Sequence, residues 1–246
     1  MVSIPNPLIN LLKDAKRVAV LTGAGVSAES GVPTFRDAQT GLWEKYEPTE
    51  LATPEAFQAD PELVWNWYAW RRELCGNVKP NAGHFALAKM EEHVPDFALF
   101  TQNVDDLHDQ AGSQNITRFH GNIFGVKCFD QHHMIDNWDQ LEGTPPTCPE
   151  CGSWLRPDVV WFGEALPSGA IDQAADFVRS ADLVFSIGTS SLVYPAAAVP
   201  IEALNASVPV VEINPNETQI SEYVSLALRG KSGEILPTII EAVWGS

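Results

Sequence analysis

The chain has 246 residues, of which 45% are hydrophobic and 19% are charged, an ordinary balance for a globular protein. Its 32 acidic and 15 basic residues give a formal net charge of −17, and a field of that sign repels phosphate backbones, which argues against DNA or RNA as a partner. No apolar run reaches the roughly 18 residues that a membrane span needs, and residues 1–16 lack the features of a secretory signal. We therefore expect a soluble, cytoplasmic protein that does not bind membranes.

The first predicted elements are a helix over residues 6–16 and a short apolar run, Arg17–Thr22, typical of a buried parallel strand. Residues 31–53 are rich in Gly, Pro, Thr and Asp and show no sustained period, so we expect a long ordered loop. A helix start follows at Asp60-Pro61-Glu62, with an N-cap, a proline and an acid in the first turn, and the helix is expected to run to about residue 75.

Strands and helices alternate along the rest of the chain. The sequence predicts helices over 81–92, 168–180, 195–204 and 232–244, and buried strands over 97–101, 116–119, 182–188 and 208–213. This alternation favours an α/β fold with a Rossmann-type doubly wound parallel sheet, built from residues 1–37, 96–122 and 156–246. Residues 38–95 (helical) and 123–155 interrupt the alternation, so we expect them to form a smaller inserted module.

A glycine-rich segment directly follows the first strand. Gly23-Ala24-Gly25-Val26-Ser27-Ala28 fits the pattern G-x-G-x-x-[G/A], in which the glycines allow a tight turn and close approach of a pyrophosphate to the backbone. A helix N-terminus at this point supplies N–H donors for an anion. The alternative is a simple tight turn, but the position after a strand favours a dinucleotide site. A dehydrogenase is disfavoured, because residues 30–37 form a loop where a second strand is expected.

Several motifs resemble the sirtuin family of NAD-dependent protein deacylases. Gly23–Ser27 with Gly31–Arg36 resembles the first family signature, 101–105 (Thr-Gln-Asn-Val-Asp) the second, and His120-Gly121 the catalytic dipeptide. Three later segments resemble family motifs that contact NAD: Gly188-Thr189-Ser190, Asn214-Pro215 and Gly230-Lys231-Ser232. The resemblance covers nearly the whole chain in family order. It implies a single sirtuin catalytic domain of bacterial or archaeal type over residues 1–246.

The resemblance implies that NAD is the cofactor and that it is held by Gly23, Ala24, Gly25, Ser27, Ala28, Phe35, Arg36, Gln102, Asn103, Asp105, Gly188, Thr189, Ser190, Asn214 and Ser232. Residues 101–105 follow a strand, where ligands bind in open α/β sheets, and amide and carboxylate groups there can hydrogen-bond the nicotinamide carboxamide. The alternative for Asn103 and Asp105 is capping of a following helix, and for Phe35 it is core packing.

His120 lies at a strand end, just before Gly121. A lone histidine in a strand is more often structural, but in this family context His120 is the predicted general base, with Asn103 as a second catalytic residue. The implied reaction removes the acyl group from an acylated lysine of a protein or peptide: the acyl oxygen attacks the ribose carbon that bears nicotinamide, and His120 accepts a proton from the ribose hydroxyls. The implied products are nicotinamide, O-acyl-ADP-ribose and free lysine.

Two other functions would use the same NAD site. Mono-ADP-ribosyl transfer shares the cleavage step but would place the label on protein. A sensor or scaffold with a degraded site would bind NAD without turnover, although Asn103, Asp105 and His120 together argue against decay, because a mere binder does not need the base.

Two segments resemble substrate-binding parts of the family. Residues 159–164 resemble the substrate strand, which implies that Val160, Phe162 and Gly163 bind a peptide by β-augmentation; the alternative is an ordinary buried strand. Tyr68 and Arg71 lie three apart on a predicted helix and so share a face, where a phenol and a guanidinium can bind a carboxylate. An amphipathic helix is the alternative, but the Tyr-x-x-Arg pair resembles the marker of class III sirtuins, which implies desuccinylation and demalonylation with some deacetylation.

Three of the four cysteines are clustered, which in a cytosolic chain suggests a metal more than a disulfide. Cys148-Pro149-Glu150-Cys151 is half of a zinc ribbon, and Cys128 lies upstream of it. Structural zinc needs four ligands, and the family pattern expects a cysteine where this chain has Gln131. We expect His132 or His133 to supply the fourth ligand, although both residues could be solvated loop histidines.

Overall fold

The computed structural model describes residues 3–34 and 46–245, so the predicted NAD contacts Phe35 and Arg36 lie outside the described residues. The strands are β1 (Arg17–Thr22), β2 (Asp96–Thr101), β3 (Ile116–Arg118), β4 (Gly121–Cys128), β5 (Leu155–Val159), β6 (Leu183–Ile187), β7 (Val210–Ile213) and β8 (Leu226–Leu228). The helices are α1 (Asn6–Asp14), α2 (Ala24–Ala28), α3 (Pro48–Leu51), α4 (Pro54–Ala59), α5 (Pro61–Gly76), α6 (Ala82–His93), α7 (Leu107–Gln110), α8 (Ala170–Arg179), α9 (Ala198–Asn205) and α10 (Ser232–Trp244).

Six strands form one parallel sheet in the order β3-β2-β1-β6-β7-β8, and β4 and β5 form a separate antiparallel pair. Successive side chains of a strand point to opposite faces of its sheet. In β1, Val18 and Val20 therefore pack with α1, α6 and α10, whereas Ala19 and Leu21 pack with α8 and α9. Helices cover both faces, which confirms the predicted doubly wound Rossmann-type fold.

Capping side chains fix the N-termini of two predicted helices, α5 and α6. The Asp60 carboxylate accepts a hydrogen bond from the Leu63 backbone N–H at 3.0 Å, as expected for the N-cap of α5. Asn81 caps α6 in the same way, accepting from Gly83 N–H at 2.9 Å. The helix α6 packs against α10 and so contributes to the core of the large sheet.

Two short helices, α3 and α4, were not predicted from the sequence. α3 lies inside the expected loop, and α4 follows it with Thr53 as N-cap, whose hydroxyl accepts from Ala56 N–H at 3.1 Å. Helices of four and six residues are too short to show a hydrophobic period. The three-residue edge strand β8 was not expected either, for the same reason.

The predicted strand over residues 159–164 is wrong beyond its first residue, because β5 ends at Val159. The Trp161 N–H donates to the Glu164 carboxylate at 2.7 Å, and Gly163 adopts a φ of +87°, so the chain turns here. The pair β4–β5 packs against α5 in an apolar cluster that includes Trp67 and Trp161. Within the described ranges, no helix is long and apolar enough to cross a membrane.

Candidate functional site

A cleft of about 1630 Å³ lies at the carboxyl ends of the parallel strands, which is where open α/β sheets bind ligands. Its walls come from the turns after β1, β2, β3, β6 and β7 and from α5. The structure brings most of the predicted cofactor and catalytic residues to this one cavity: Gly23, Ala24, Gly25, Ser27, Ala28, Gln102, Asn103, Asp105, His120, Gly188, Thr189, Ser190 and Asn214.

The glycine turn after β1 is built against the turn after β6. Gly25 N–H donates to the Gly188 carbonyl at 2.8 Å, and a Cβ added at Gly25 would lie only 2.7 Å from that oxygen. Gly188 itself has a φ of +60°, and a Cβ there would lie 2.6 Å from Val26 N. The close approach that the glycine pattern predicts is therefore already required by contact between the two turns.

Ser27 connects two polar side chains beneath this turn. Its Oγ accepts from Asn103 Nδ2 at 3.0 Å, and its hydroxyl is hydrogen-bonded to Asp105. Asn103 and Asp105 are each only 6% exposed, although both line the cleft. Burial raises the pKa of Asp105, while the hydrogen bonds from Leu107 N–H and Ser27 act in the opposite direction.

Asp105 also bonds the start of the next helix: its Oδ1 accepts from the N–H of Leu107, the first residue of α7, at 3.1 Å, although the N-cap position itself is Asp106. The carboxyl group of Asp105 therefore both bonds the start of α7 and lines the cleft. Asn103 does not cap this helix; its own N–H donates to the Thr101 hydroxyl at 3.0 Å.

Two buried histidines lie behind the Ser27 network and were not singled out from the sequence. Asn81 N–H donates to His84 Nδ1 at 3.3 Å, so the His84 proton is on Nε2, which lies 3.5 Å from Ser27 Oγ. The His84 and His108 rings are 4.9 Å apart. Burial lowers the pKa of His84 to about 4 and that of His108 to about 3, so both rings are neutral at physiological pH. A histidine three residues after a helix N-cap is the one local signal that could have indicated His84.

A backbone contact determines which ring nitrogen of His120 carries the proton. A carbonyl oxygen only accepts, so the 2.9 Å contact between His120 Nδ1 and Gln102 O requires the proton on Nδ1. Nε2 is then the basic nitrogen of the neutral ring. Burial lowers the pKa of His120, and the Gln102 carbonyl partly opposes that shift. The same Gln102 donates from Nε2 to Thr189 Oγ1 at 2.9 Å, which links the His120 wall to the turn after β6.

The residue after His120 has to be glycine. Gly121 has a φ of +79°, and a Cβ there would lie 2.1 Å from the Asp158 carbonyl oxygen. This contact explains the His-Gly pair in terms of the backbone approach of β5 to β4.

The predicted substrate residues Tyr68, Arg71, Val160, Phe162 and Gly163 all line the cleft. Two of the backbone N–H groups in the peptide segment already have partners: Val160 N–H donates to the His120 carbonyl at 3.0 Å, and Phe162 N–H to the Ala52 carbonyl at 2.9 Å. The N–H groups of Val160 and Phe162 are therefore occupied within the chain itself.

Tyr68 is 2% exposed at the wall of the cleft. Its hydroxyl accepts from the Trp161 indole Nε1 at 3.0 Å. Burial raises the pKa of Tyr68 to about 12, although the neighbouring positive charge of Arg71 acts in the opposite direction. The phenol therefore keeps its proton at neutral pH.

One of the predicted cofactor contacts, Ser232, does not line the cleft in this structure. Ser232 is 5% exposed and does not line the cleft; its hydroxyl donates to Glu29 Oε1 at 2.7 Å. Glu29 and Lys231 line the cleft instead. Ser232 lies at the N-terminus of α10, where it and Gly233 N–H both donate to the Glu29 carboxylate, and its predicted contact with NAD stays a prediction.

A cluster of thiols and one imidazole lies away from the cleft. The ligand atoms of Cys128, His133 and Cys148 are all within 4.8 Å of one another, and Cys151 Sγ lies 3.5 Å from Cys128 Sγ. Cys128 N–H donates to the His133 carbonyl at 2.9 Å, which turns the chain back so that His133 faces the thiols. His132 is exposed and is not part of the cluster. Three sulfur atoms and one nitrogen form a ligand set that tetrahedral zinc accepts.

Comparison with known proteins agrees with this geometry. A family model described as the Sir2 family matches residues 23–195. The chain is 46% identical over 244 residues to an NAD-dependent protein deacylase of Methylococcus capsulatus, covering 96% of each chain. It is also 46% identical over 234 residues to NAD-dependent protein deacylase 2 of Pyrobaculum aerophilum, covering 95% of this chain and 94% of the relative.

Two solved structures have the same fold. A Sir2 homolog–NAD complex superposes with a TM-score of 0.90 at 43% identity, covering 98% of this chain and 94% of the other. A complex of Sir2 with a p53 peptide and NAD⁺ superposes with a TM-score of 0.88 at 29% identity, covering 99% and 100%.

Proposed function

The chain belongs to the Sir2 family and is an NAD-dependent protein deacylase, and we propose that it removes acetyl and short dicarboxylic acyl groups from lysine side chains. The observation that carries this proposal is the wall that His120 and Gln102 form with the turns after β1 and β6, next to Tyr68 and Arg71 in the same cleft. The chemistry of proton removal, of dinucleotide binding and of carboxylate binding is thus available within one cavity.

The NAD part of the proposal rests on polar groups that match the ligand. When bound, NAD supplies a ribose carbon that loses nicotinamide and accepts the acyl oxygen. The buried side chains of Asn103 and Asp105 offer a donor and an acceptor to a carboxamide. The cleft volume of about 1630 Å³ exceeds that of a typical small-molecule pocket, which leaves room for a dinucleotide and an acyl-lysine together.

His120 is proposed to act as the general base. Its Nδ1–H is held by the Gln102 carbonyl, so Nε2 is oriented by the backbone and can accept a proton from a ribose hydroxyl. Because burial lowers its pKa, the ring is in the unprotonated form that a base requires. Asn103, held by Ser27, is proposed to orient the nicotinamide end rather than to exchange protons.

The acidic-acyl part of the proposal rests on Tyr68 and Arg71. The positive charge of Arg71 acts to lower the pKa of the Tyr68 phenol, and both side chains line the cleft. A succinyl, malonyl or glutaryl group ends in a carboxylate, for which a charged guanidinium and a neutral phenol proton are complementary donors. An acetyl group ends before such a site and needs neither donor.

A peptide substrate is proposed to bind beside Val160, Phe162 and Gly163, which line the cleft next to His120. The relative solved with a p53 peptide and NAD⁺ supports a protein or peptide as the partner. The net charge of −17 favours basic sequences around the acyl-lysine through long-range attraction.

A structural zinc ion is proposed to be held by Cys128, His133, Cys148 and Cys151. Two of the thiols are buried with Trp65 and Leu155 in a small apolar cluster, which a metal would cross-link. The cluster is separate from the cleft, so the metal is assigned no part in the reaction.

Nicotinamide release with a panel of acyl-lysine peptides tests the proposal directly. We expect turnover with acetyl-, succinyl- and malonyl-lysine peptides, and one O-acyl-ADP-ribose per nicotinamide, measured by mass spectrometry. Release of nicotinamide with transfer of ADP-ribose to protein would instead support mono-ADP-ribosyl transfer.

A further inference from the structure

Trp161 is almost completely buried, yet it forms part of the wall of the cleft. Its indole nitrogen can only donate, so the 3.0 Å contact with Tyr68 makes the phenol oxygen an acceptor. Among the residues that the structure describes, the Tyr68 hydroxyl has no acceptor of its own. The phenol proton is therefore available to a ligand, and Tyr68 and Arg71 line the same cleft.

The indole is held from several sides. The Arg156 guanidinium carbon lies 3.3 Å from the centre of the indole, and the Phe57 ring centre lies 5.3 Å away. Arg156 is fully buried and forms an ion pair with Glu164, which also accepts from the Trp161 backbone N–H at 2.7 Å. These contacts to the ring and to the backbone restrict how the Trp161 indole can orient its N–H.

We propose that Trp161 is a positioning residue for acyl-group selection: its indole N–H holds the Tyr68 oxygen as an acceptor, so that the Tyr68 proton is presented to a carboxylate at the end of the acyl chain. The inference rests on the proposed activity towards acidic acyl groups. Phenylalanine at this position would fill similar space but could not donate, and the phenol would then be free to rotate its proton away. Acetyl-lysine has no carboxylate and would not sense the difference.

The test removes the N–H while keeping the ring. Benzothienylalanine, which has sulfur in place of the indole N–H, is introduced at position 161 by an expanded genetic code, and Trp161→Phe is made in parallel. We expect the KM for a succinyl-lysine peptide to rise about fivefold, the size of one net hydrogen bond. We expect kcat with that peptide, and both constants for the acetyl-lysine peptide, to change less than about twofold.

A double-mutant cycle separates positioning from packing. If Trp161 acts through the Tyr68 hydroxyl, the same replacement in a Tyr68→Phe background should leave the succinyl KM unchanged from that of Tyr68→Phe alone. Additive effects would overturn the proposal. Trp65→Phe is the matched control, because Trp65 is a buried tryptophan of α5 that does not line the cleft and should leave the ratio of succinyl to acetyl activity unchanged.

The result also distinguishes this inference from the activity on which it rests. If Arg71→Met lowers succinyl activity selectively but the benzothienyl protein retains a wild-type succinyl KM, the role of Trp161 is wrong and the acyl range stands. If the wild-type enzyme does not act on succinyl-lysine at all, both are wrong. Should Trp161→Phe fail to fold, the isosteric replacement decides.

Discussion

The backbone carbonyl of Gln102 accepts the Nδ1 proton of His120 at 2.9 Å, while the Gln102 side chain donates to Thr189 at the same distance. One residue after β2 thus ties the imidazole after β3 to the turn after β6. The tautomer of the ring follows from the fold, because a carbonyl oxygen cannot donate.

Removal of this imidazole should stop the reaction with little effect on NAD affinity. We expect His120→Ala to lower kcat by about 10²- to 10⁴-fold, the usual contribution of a general base. Isothermal titration with NAD and nicotinamide-release assays on the same preparation measure both quantities. The exposed His93 provides the control, since His93→Ala should retain wild-type turnover. Near-normal turnover of His120→Ala would show that another group removes the proton.

Loss of the guanidinium at position 71 should change acyl preference. A charge-assisted hydrogen bond contributes about 1.5–3 kcal/mol, so Arg71→Met should lower kcat/KM for a succinyl-lysine peptide by about 10- to 100-fold. The acetyl-lysine peptide, assayed with the same variant, is the internal control and should be affected by less than about threefold. An unchanged preference would refute a carboxylate site at Tyr68 and Arg71.

Metal content should depend on one of two adjacent histidines. His133 Nε2 lies 3.5 Å from Cys148 Sγ, whereas His132 is exposed outside the cluster. We expect about one zinc per chain in the wild-type protein and in His132→Ala, and a clear loss in His133→Ala, measured by elemental mass spectrometry without chelators. Equal zinc content in the two variants would remove His133 from the ligand set, and no zinc in the wild-type protein would refute the site.

The buried histidines should make the fold sensitive to acid. Because the folded-state pKa values of His84 and His108 are lowered to about 4 and about 3, the unfolded chain binds protons near pH 6.5 that the folded chain does not. Stability from these neutral rings is complete above about pH 6.5 and is lost as the pH falls towards 4. Each ring should contribute a slope of about 1.4 kcal/mol per pH unit in that window.

Urea unfolding between pH 7.5 and pH 5 measures this slope. His84→Gln and His108→Gln should each reduce it by the equivalent of one proton, whatever their effect on stability at pH 7.5. Slopes equal to wild type in both buried variants would contradict the prediction.

Local sequence signals determined some parts of the fold and could not determine others. The caps Asp60 and Asn81 and the apolar run Arg17–Thr22 predict their elements because capping and burial on both faces of a sheet are encoded in neighbouring residues. The strand predicted beyond Val159 failed because a tertiary ion pair, that of Arg156 with Glu164, belongs to a turn whose apolar residues look like a strand.

In the candidate site, too, some positions follow from local motifs and others depend on tertiary contacts. The residues in the motifs after β1, β2 and β6 line the cleft, because parallel strands all end at one edge of the sheet. Ser232 belongs to a similar motif but packs behind the wall, since its position depends on how α10 meets Glu29. Whether His132 or His133 faces the thiols depends on the turn after β4, which the local sequence does not determine. The hydrogen bond between Trp161 and Tyr68 joins residues that are distant along the chain, so no local pattern predicts it.

The contact between Gly25 and Gly188 restricts which residues each of these two positions can hold. With backbone against backbone, neither position can gain a side chain unless the other turn is displaced, so a substitution at either glycine would alter both turns and the part of the cleft wall that they form.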